Sequence, residues 1–108
     1  MDTIVHRIRL RDGVPPERFE RWVRETDYAT CPELPSVLRF SVHRVPAAPP
    51  GAPYHSFEFF EIIEVSSQDA FARDMASDAF RRLEKDFDTM AEVTDELTGR
   101  RIGAGYAA

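Results

Sequence analysis

Tyr54-His55-Ser56-Phe57-Glu58-Phe59-Phe60-Glu61-Ile62-Ile63-Glu64-Val65 reads as a β-strand, and its two faces decide the architecture. Phe57, Phe59, Glu61, Ile63 and Val65 project to one side, and Glu58, Phe60, Ile62 and Glu64 to the other. A strand in a half-solvated sheet carries one wet face, yet here both sides hold large apolar groups. Each face therefore needs a cover.

Upstream, Pro46-Ala47-Ala48-Pro49-Pro50-Gly51-Ala52-Pro53 forms a connection too long for a tight turn, and Ser36 to Val45 makes the preceding strand. Residues 3–10 alternate with period two, placing Ile4, His6, Ile8 and Leu10 on one face and Thr3, Val5, Arg7 and Arg9 on the other. Asp12-Gly13 ends that strand, and Pro15-Pro16 opens a helix from Glu17 to Tyr28 whose apolar stripe is Phe19, Trp22, Val23 and Thr26. The prolines of Cys31-Pro32-Glu33-Leu34-Pro35 stop it. Downstream, Ser66 caps a helix carrying Phe71 and Met75. After a break at Ser77-Asp78, Phe80, Leu83, Phe87 and Met90 continue at helical spacing. A short strand at Thr94–Leu97 completes the order β-α-β-β-α-β, which predicts an α+β ferredoxin-like fold. Two helices cover one face of the sheet. A second copy of the chain is the economical cover for the other, giving a homodimer.

A chain of 108 residues is expected to form one domain spanning 1–108. The net charge of −5 argues against nucleic acid, which needs a basic stripe to displace phosphate counterions, and against an anionic membrane surface. No apolar run is long enough to span a bilayer, and the N-terminus lacks a signal-peptide core, so a cytoplasmic protein is expected. The single cysteine, Cys31, excludes an internal disulfide and a CxxC metal site; it reads as a small hydrophobe near the pocket mouth.

His6 shares its face with Ile4 and Ile8 and points inward, where an imidazole can move protons near neutral pH. A neutral imidazole held by one hydrogen bond is the plain alternative. His43 shares a mixed face with Val37, Arg39, Ser41 and Val45, and His55 sits at the loop edge. Glu61, between Phe59 and Ile63, must find a cation or keep its proton, because an unpaired buried carboxylate is costly. Asp27 ends the first helix against the unfavourable end of its dipole, so it needs another reason to be there, such as orienting a histidine or holding a substrate N–H; a solvated flank residue or a loop-capping aspartate is the plain alternative. Trp22, Tyr28 and the phenylalanines, among them Phe40 and Phe59, offer either a slot for a flat aromatic ligand or ordinary core. The charged run Glu92-Val93-Thr94-Asp95-Glu96 reads as a solvated edge. No ligand spacing points to a metal, and no Gly-rich phosphate loop is present, so no cofactor is expected.

Thr3 to Leu10, Phe19 to Tyr28, Cys31 to Val37, Phe40-Ser41-Val42-His43-Arg44, Phe80-Arg81-Arg82-Leu83 and Met90-Ala91-Glu92-Val93 together resemble the RedY-like (HapK-like) family. The resemblance implies a dimeric ferredoxin-like α+β barrel from prodiginine and bisindole biosynthesis. It further implies a cofactor-free tailoring enzyme that guides cyclisation of a reactive indole or pyrrole intermediate. Its candidate catalytic residues here are His6, Asp27 and His43, with Trp22, Tyr28, Phe40, Phe59 and Glu61 lining the substrate pocket. A cofactor-independent monooxygenase acting on an aromatic substrate, and a non-catalytic protein that shields the intermediate, are the competing readings.

Overall fold

The computed structural model describes residues 1–46, 51 and 57–108. Most of the Pro/Ala connection, the first residues expected of the third strand, and His55 lie outside the described residues.

Four strands form one antiparallel sheet in the order β2-β3-β1-β4, the order of the ferredoxin-like α+β fold. β1 (Asp2–Leu10) and β3 (Phe59–Val65) are central, while β2 (Val37–Arg44) and β4 (Ala91–Arg100) form the edges. Ile4, Ile8, Phe59, Ile63 and Val65 are buried, which turns the inward set expected of β1 and β3 toward the helices. α3 (Gln68–Met75) and α4 (Asp78–Asp88) are separate helices. Ser67, rather than Ser66, caps α3 by accepting from the Ala70 N–H at 3.1 Å; Ser77 caps α4 by accepting from Phe80 at 3.2 Å.

The first helical segment departs from a plain α-helix. α1 (Pro16–Trp22) passes into a π-helical turn over Val23–Asp27, then α2 (Tyr28–Thr30) and a 3-10 turn at Cys31–Glu33. The prolines thus tighten the last turn before the chain leaves it. Phe19 anchors this segment, fully buried against Phe59 with ring centroids 4.8 Å apart.

β4 is much longer than the short strand expected. Its charged residues do not face solvent alone, because cross-strand partners on β1 neutralise them: Arg9 with Glu92, Arg7 with Asp95 at 3.5 Å, and Asp2 with Arg100 at 3.0 Å. Such opposite-charge pairs support a ladder that propensity alone disfavours. Among the described residues no helix is long and apolar enough to cross a membrane.

Candidate functional site

A cavity of about 440 Å³ opens between the sheet and the helices. Ile4, Ile63, Leu34, Phe40, Phe71 and Phe80 give it apolar walls. His6, Asp27 and Glu61 are brought together in it, and Glu96 joins them from β4.

His6 sits on a central strand, opposite Glu61 on one neighbour and Glu96 on the other. Its Nδ1 lies 2.7 Å from Glu61 Oε1 and its Nε2 lies 2.6 Å from Glu96 Oε2. Carboxylates only accept, so both ring nitrogens donate when both acids are ionised, and the imidazole is then a cation. Burial works against that charge. The hydrogen bonds to Glu61 and Glu96, with the negative charges they carry, outweigh it and raise the His6 pKa above its ordinary value. Glu61 thus has the cationic partner its buried position requires, and the partner is a histidine rather than an arginine.

Asp27 comes from the end of the π-helical turn and is 9% exposed. Its carboxyl accepts no hydrogen bond from any described residue, and it is not paired with His6. Glu61 instead holds His6, while its charge repels Asp27. Burial first, and then the Glu61 charge, push the Asp27 pKa up to about 7. The site therefore combines a Glu61–His6–Glu96 clamp with a separate Asp27 carboxyl that does not orient the histidine. Cys31, also in the cavity wall, has its thiol pushed up to about 11, chiefly by burial and then by the charges of Asp27 and Glu61. At neutral pH it is a thiol, not a nucleophilic thiolate.

Of the other residues singled out in the sequence, Phe40 lines the cavity. Phe59 does not reach it, being sealed beneath Phe19 in the core. Trp22 packs in the same core and its indole N–H donates to Asp86 at 3.4 Å, on the flank of a smaller cleft. Tyr28 closes the β2 edge: its hydroxyl accepts from the Val42 N–H at 3.0 Å, and its ring meets Phe40 edge-on. His43 stands on the opposite sheet face, stacked on Phe60 at 4.8 Å and bonded to Ser41 Oγ at 2.8 Å. Its distance from the cavity follows from a register shift between Val37 and Arg39, which turns Phe40 and Val42 toward the helices and His43 away.

Glu96 is the residue the periodicity misses. A second register shift, in which Thr94 falls between the Ile8–Val93 and Arg7–Asp95 pairs, reverses the alternation of β4. Glu96 consequently lies on the helix side of the sheet beside His6, while its side chain stays largely exposed on the edge strand, as expected of this charged run. Glu84 and Asp88, one turn apart on α4, also reach the cavity mouth. Their spacing from Phe80 and Phe87 is the signal that places them there. Among the described residues no group of three or more His, Cys, Asp and Glu side chains is arranged to hold a metal ion.

With this geometry in view, comparison with solved structures finds HapK from Hahella chejuensis at 44% identity, covering 100% of this chain and 99% of that one, with a TM-score of 0.89. SnoaB, a cofactor-independent oxygenase from Streptomyces nogalater, shares the fold at 18% identity over 96% of this chain and 97% of its own, with a TM-score of 0.69. A dimeric ferredoxin-like protein of unknown function from Thermobifida fusca shares it at 15% identity over 91% and 86%, with a TM-score of 0.63. No match is found among curated proteins. The model of the REDY-like protein HapK matches residues 2–102, and the chain belongs to that family.

Proposed function

We propose that this protein is a cofactor-free tailoring enzyme that binds a flat aromatic small molecule, of indole or pyrrole type, and guides its cyclisation by acid–base catalysis. The observation that carries the reading is Asp27: a carboxyl with no ion-pair partner among the described residues, in a cavity with apolar walls, with its pKa pushed up to about 7. A group poised there is protonated and ionised in comparable amounts at neutral pH, the condition for moving a proton in both directions.

Asp27 takes a proton from the reacting ring carbon and returns one to the acceptor as the new carbon–carbon bond closes, so that mass is conserved. His6, clamped by Glu61 and Glu96, supplies a fixed positive centre rather than a base, since both nitrogens are engaged. The aromatic walls orient the substrate and keep water out, which lowers the barrier by removing alternative geometries. Proton transfer contributes roughly 10²–10⁴-fold to the rate. The protein works as a homodimer, in which a second copy covers the outer sheet face where Phe60 and Ile62 are half-buried and Leu97 is exposed.

The test is product analysis by mass spectrometry, incubating chelator-treated protein with a freshly generated bisindole intermediate in air and under nitrogen. A product of unchanged mass, forming in both atmospheres and lost with Asp27→Asn, is the expected result. A product heavier by oxygen and seen only in air would replace cyclisation with monooxygenation. Slower decay of the intermediate with no new product would make the protein a carrier.

A further inference from the structure

The charges around the cavity are one-sided. Among the described residues, Asp27, Glu61, Glu84, Asp88, Glu92 and Glu96 line it, against His6 alone, and no lysine or arginine does. Three of these acids have an ion-pair partner: Glu61 and Glu96 share His6, and Glu92 has Arg9 and Arg11. Asp27, Glu84 and Asp88 have no ion-pair partner among the described residues.

Asp27 is the decisive member, because it is nine-tenths buried, lines the cavity and accepts no hydrogen bond from a described residue. Burying an unpartnered carboxylate is costly, and the cost is relieved by a cation delivered to the same space. Phe40, Phe71 and Phe80 line the same cavity, aromatic walls suited to a flat π-system and to a cation spread over one. A cavity of about 440 Å³ is of the size that takes a ligand of two or three fused rings.

We propose that the cavity takes a flat aromatic ligand bearing a protonated nitrogen, drawn through a mouth formed by Glu84, Asp88 and Glu96 and met inside by the Asp27 carboxylate. This names the ligand class of the same cavity and rests on its reading as a small-molecule site. The acidic mouth raises the local concentration of cations and disfavours anions, while Asp27 fixes the nitrogen. A neutral aromatic would fill the walls but leave the carboxyl without a partner.

Three naphthalene probes of similar size test it by calorimetry near pH 8, above the Asp27 value of about 7: 1-naphthylmethylammonium, 1-naphthylmethanol and 1-naphthoate. The ammonium should bind at least about ten-fold more tightly than the alcohol, and the naphthoate most weakly, the difference expected of a desolvated charge-assisted contact. Asp27→Asn should remove most of the ammonium preference while leaving the affinity for the alcohol unchanged. The double variant Glu84→Gln/Asp88→Asn, at exposed positions where folding is not at stake, should slow ammonium association and flatten its salt dependence. Equal affinity for ammonium and alcohol, preference for naphthoate, retention of the preference in Asp27→Asn, or no binding by any probe would each overturn the proposal. Because the probes do not react, an ammonium preference without turnover would fault the cyclisation reading alone. Turnover of the bisindole without that preference would fault this inference alone.

Discussion

His6 Nε2 lies 2.6 Å from Glu96 Oε2 because one residue, Thr94, is inserted into the β4 ladder between their strand neighbours. The other side of the ring is closed by Glu61 at 2.7 Å, but the two acids differ in setting. The Glu61 side chain is 13% exposed, whereas that of Glu96 is 61% exposed. An ion pair is worth more where water screens it less, so Glu61 holds the imidazolium more strongly. Both Glu61→Gln and Glu96→Gln should lower the His6 pKa, and Glu61→Gln should do so further. Nitrogen-15 NMR of the ring through a pH titration reads this directly. A larger fall with Glu96→Gln would reverse the ranking.

Stability should fall as pH rises from mildly acidic to alkaline. Asp27 has its folded pKa raised to about 7, so between its unfolded value near 4 and that point the native state holds a proton that the unfolded chain has lost. His6, raised above its ordinary value, contributes stability that is complete below that value and is lost as pH climbs through the folded one. The two act in the same direction. Thermal melts should therefore show a higher Tm near pH 6 than near pH 9. Asp27→Asn should flatten the slope and stabilise the alkaline form by about 1–3 kcal/mol, since it removes a charge whose burial is uncompensated. A Tm that rises over this interval would contradict both assignments.

The helices and strands follow from apolar spacing, but the cavity depends on two departures from regular alternation that spacing does not reveal. On β2, Val37, Arg39, Ser41 and His43 form one face only if the strand is straight; the irregularity after Val37 separates Val37 from the rest and sends His43 outward. On β4, the same kind of shift brings Glu96 to the helix side of the sheet. A bulge is set by tertiary pairing, and neither Val37-Leu38-Arg39 nor Val93-Thr94-Asp95 carries a glycine or proline to announce it. Asp27 was legible because its place at the helix end, next to the Phe19–Val23 stripe, needs no knowledge of pairing. The length of β4 was not, because acidic residues read as solvated until Arg7 and Arg9 are set beside them.

Asp74 fastens α3 to the start of β2. Its carboxyl accepts the Ser36 backbone N–H at 2.7 Å and also the Ser36 hydroxyl, and both residues are buried. Asp74→Ala strands a buried donor that the well-packed neighbourhood cannot hydrate. A loss of about 1–3 kcal/mol is expected in urea unfolding, the cost of an unsatisfied buried polar group. Asp74→Asn keeps one acceptor oxygen and should recover part of it. If alanine and asparagine cost the same, the hydrogen bonds to Ser36 are not what the site contributes.

The outer sheet face provides the last test, because the proposed homodimer depends on it. Leu97 is 58% exposed and is the Cα partner of Val5, which in turn faces Ile62 across β1 and β3. That row runs across the sheet on the side away from the helices. In a two-fold dimer built on this face, each substitution is present twice, so a charge placed there meets both apolar surface and its own copy. Leu97→Glu should convert dimer to monomer in sedimentation velocity, with the circular dichroism spectrum kept, because Leu97 is in none of the core clusters. A variant that stays dimeric would move the interface to another surface. A monomeric wild type at micromolar concentration would remove the second copy altogether, and leave the row of half-buried Val5 and Ile62 with exposed Leu97 to be explained by a different partner.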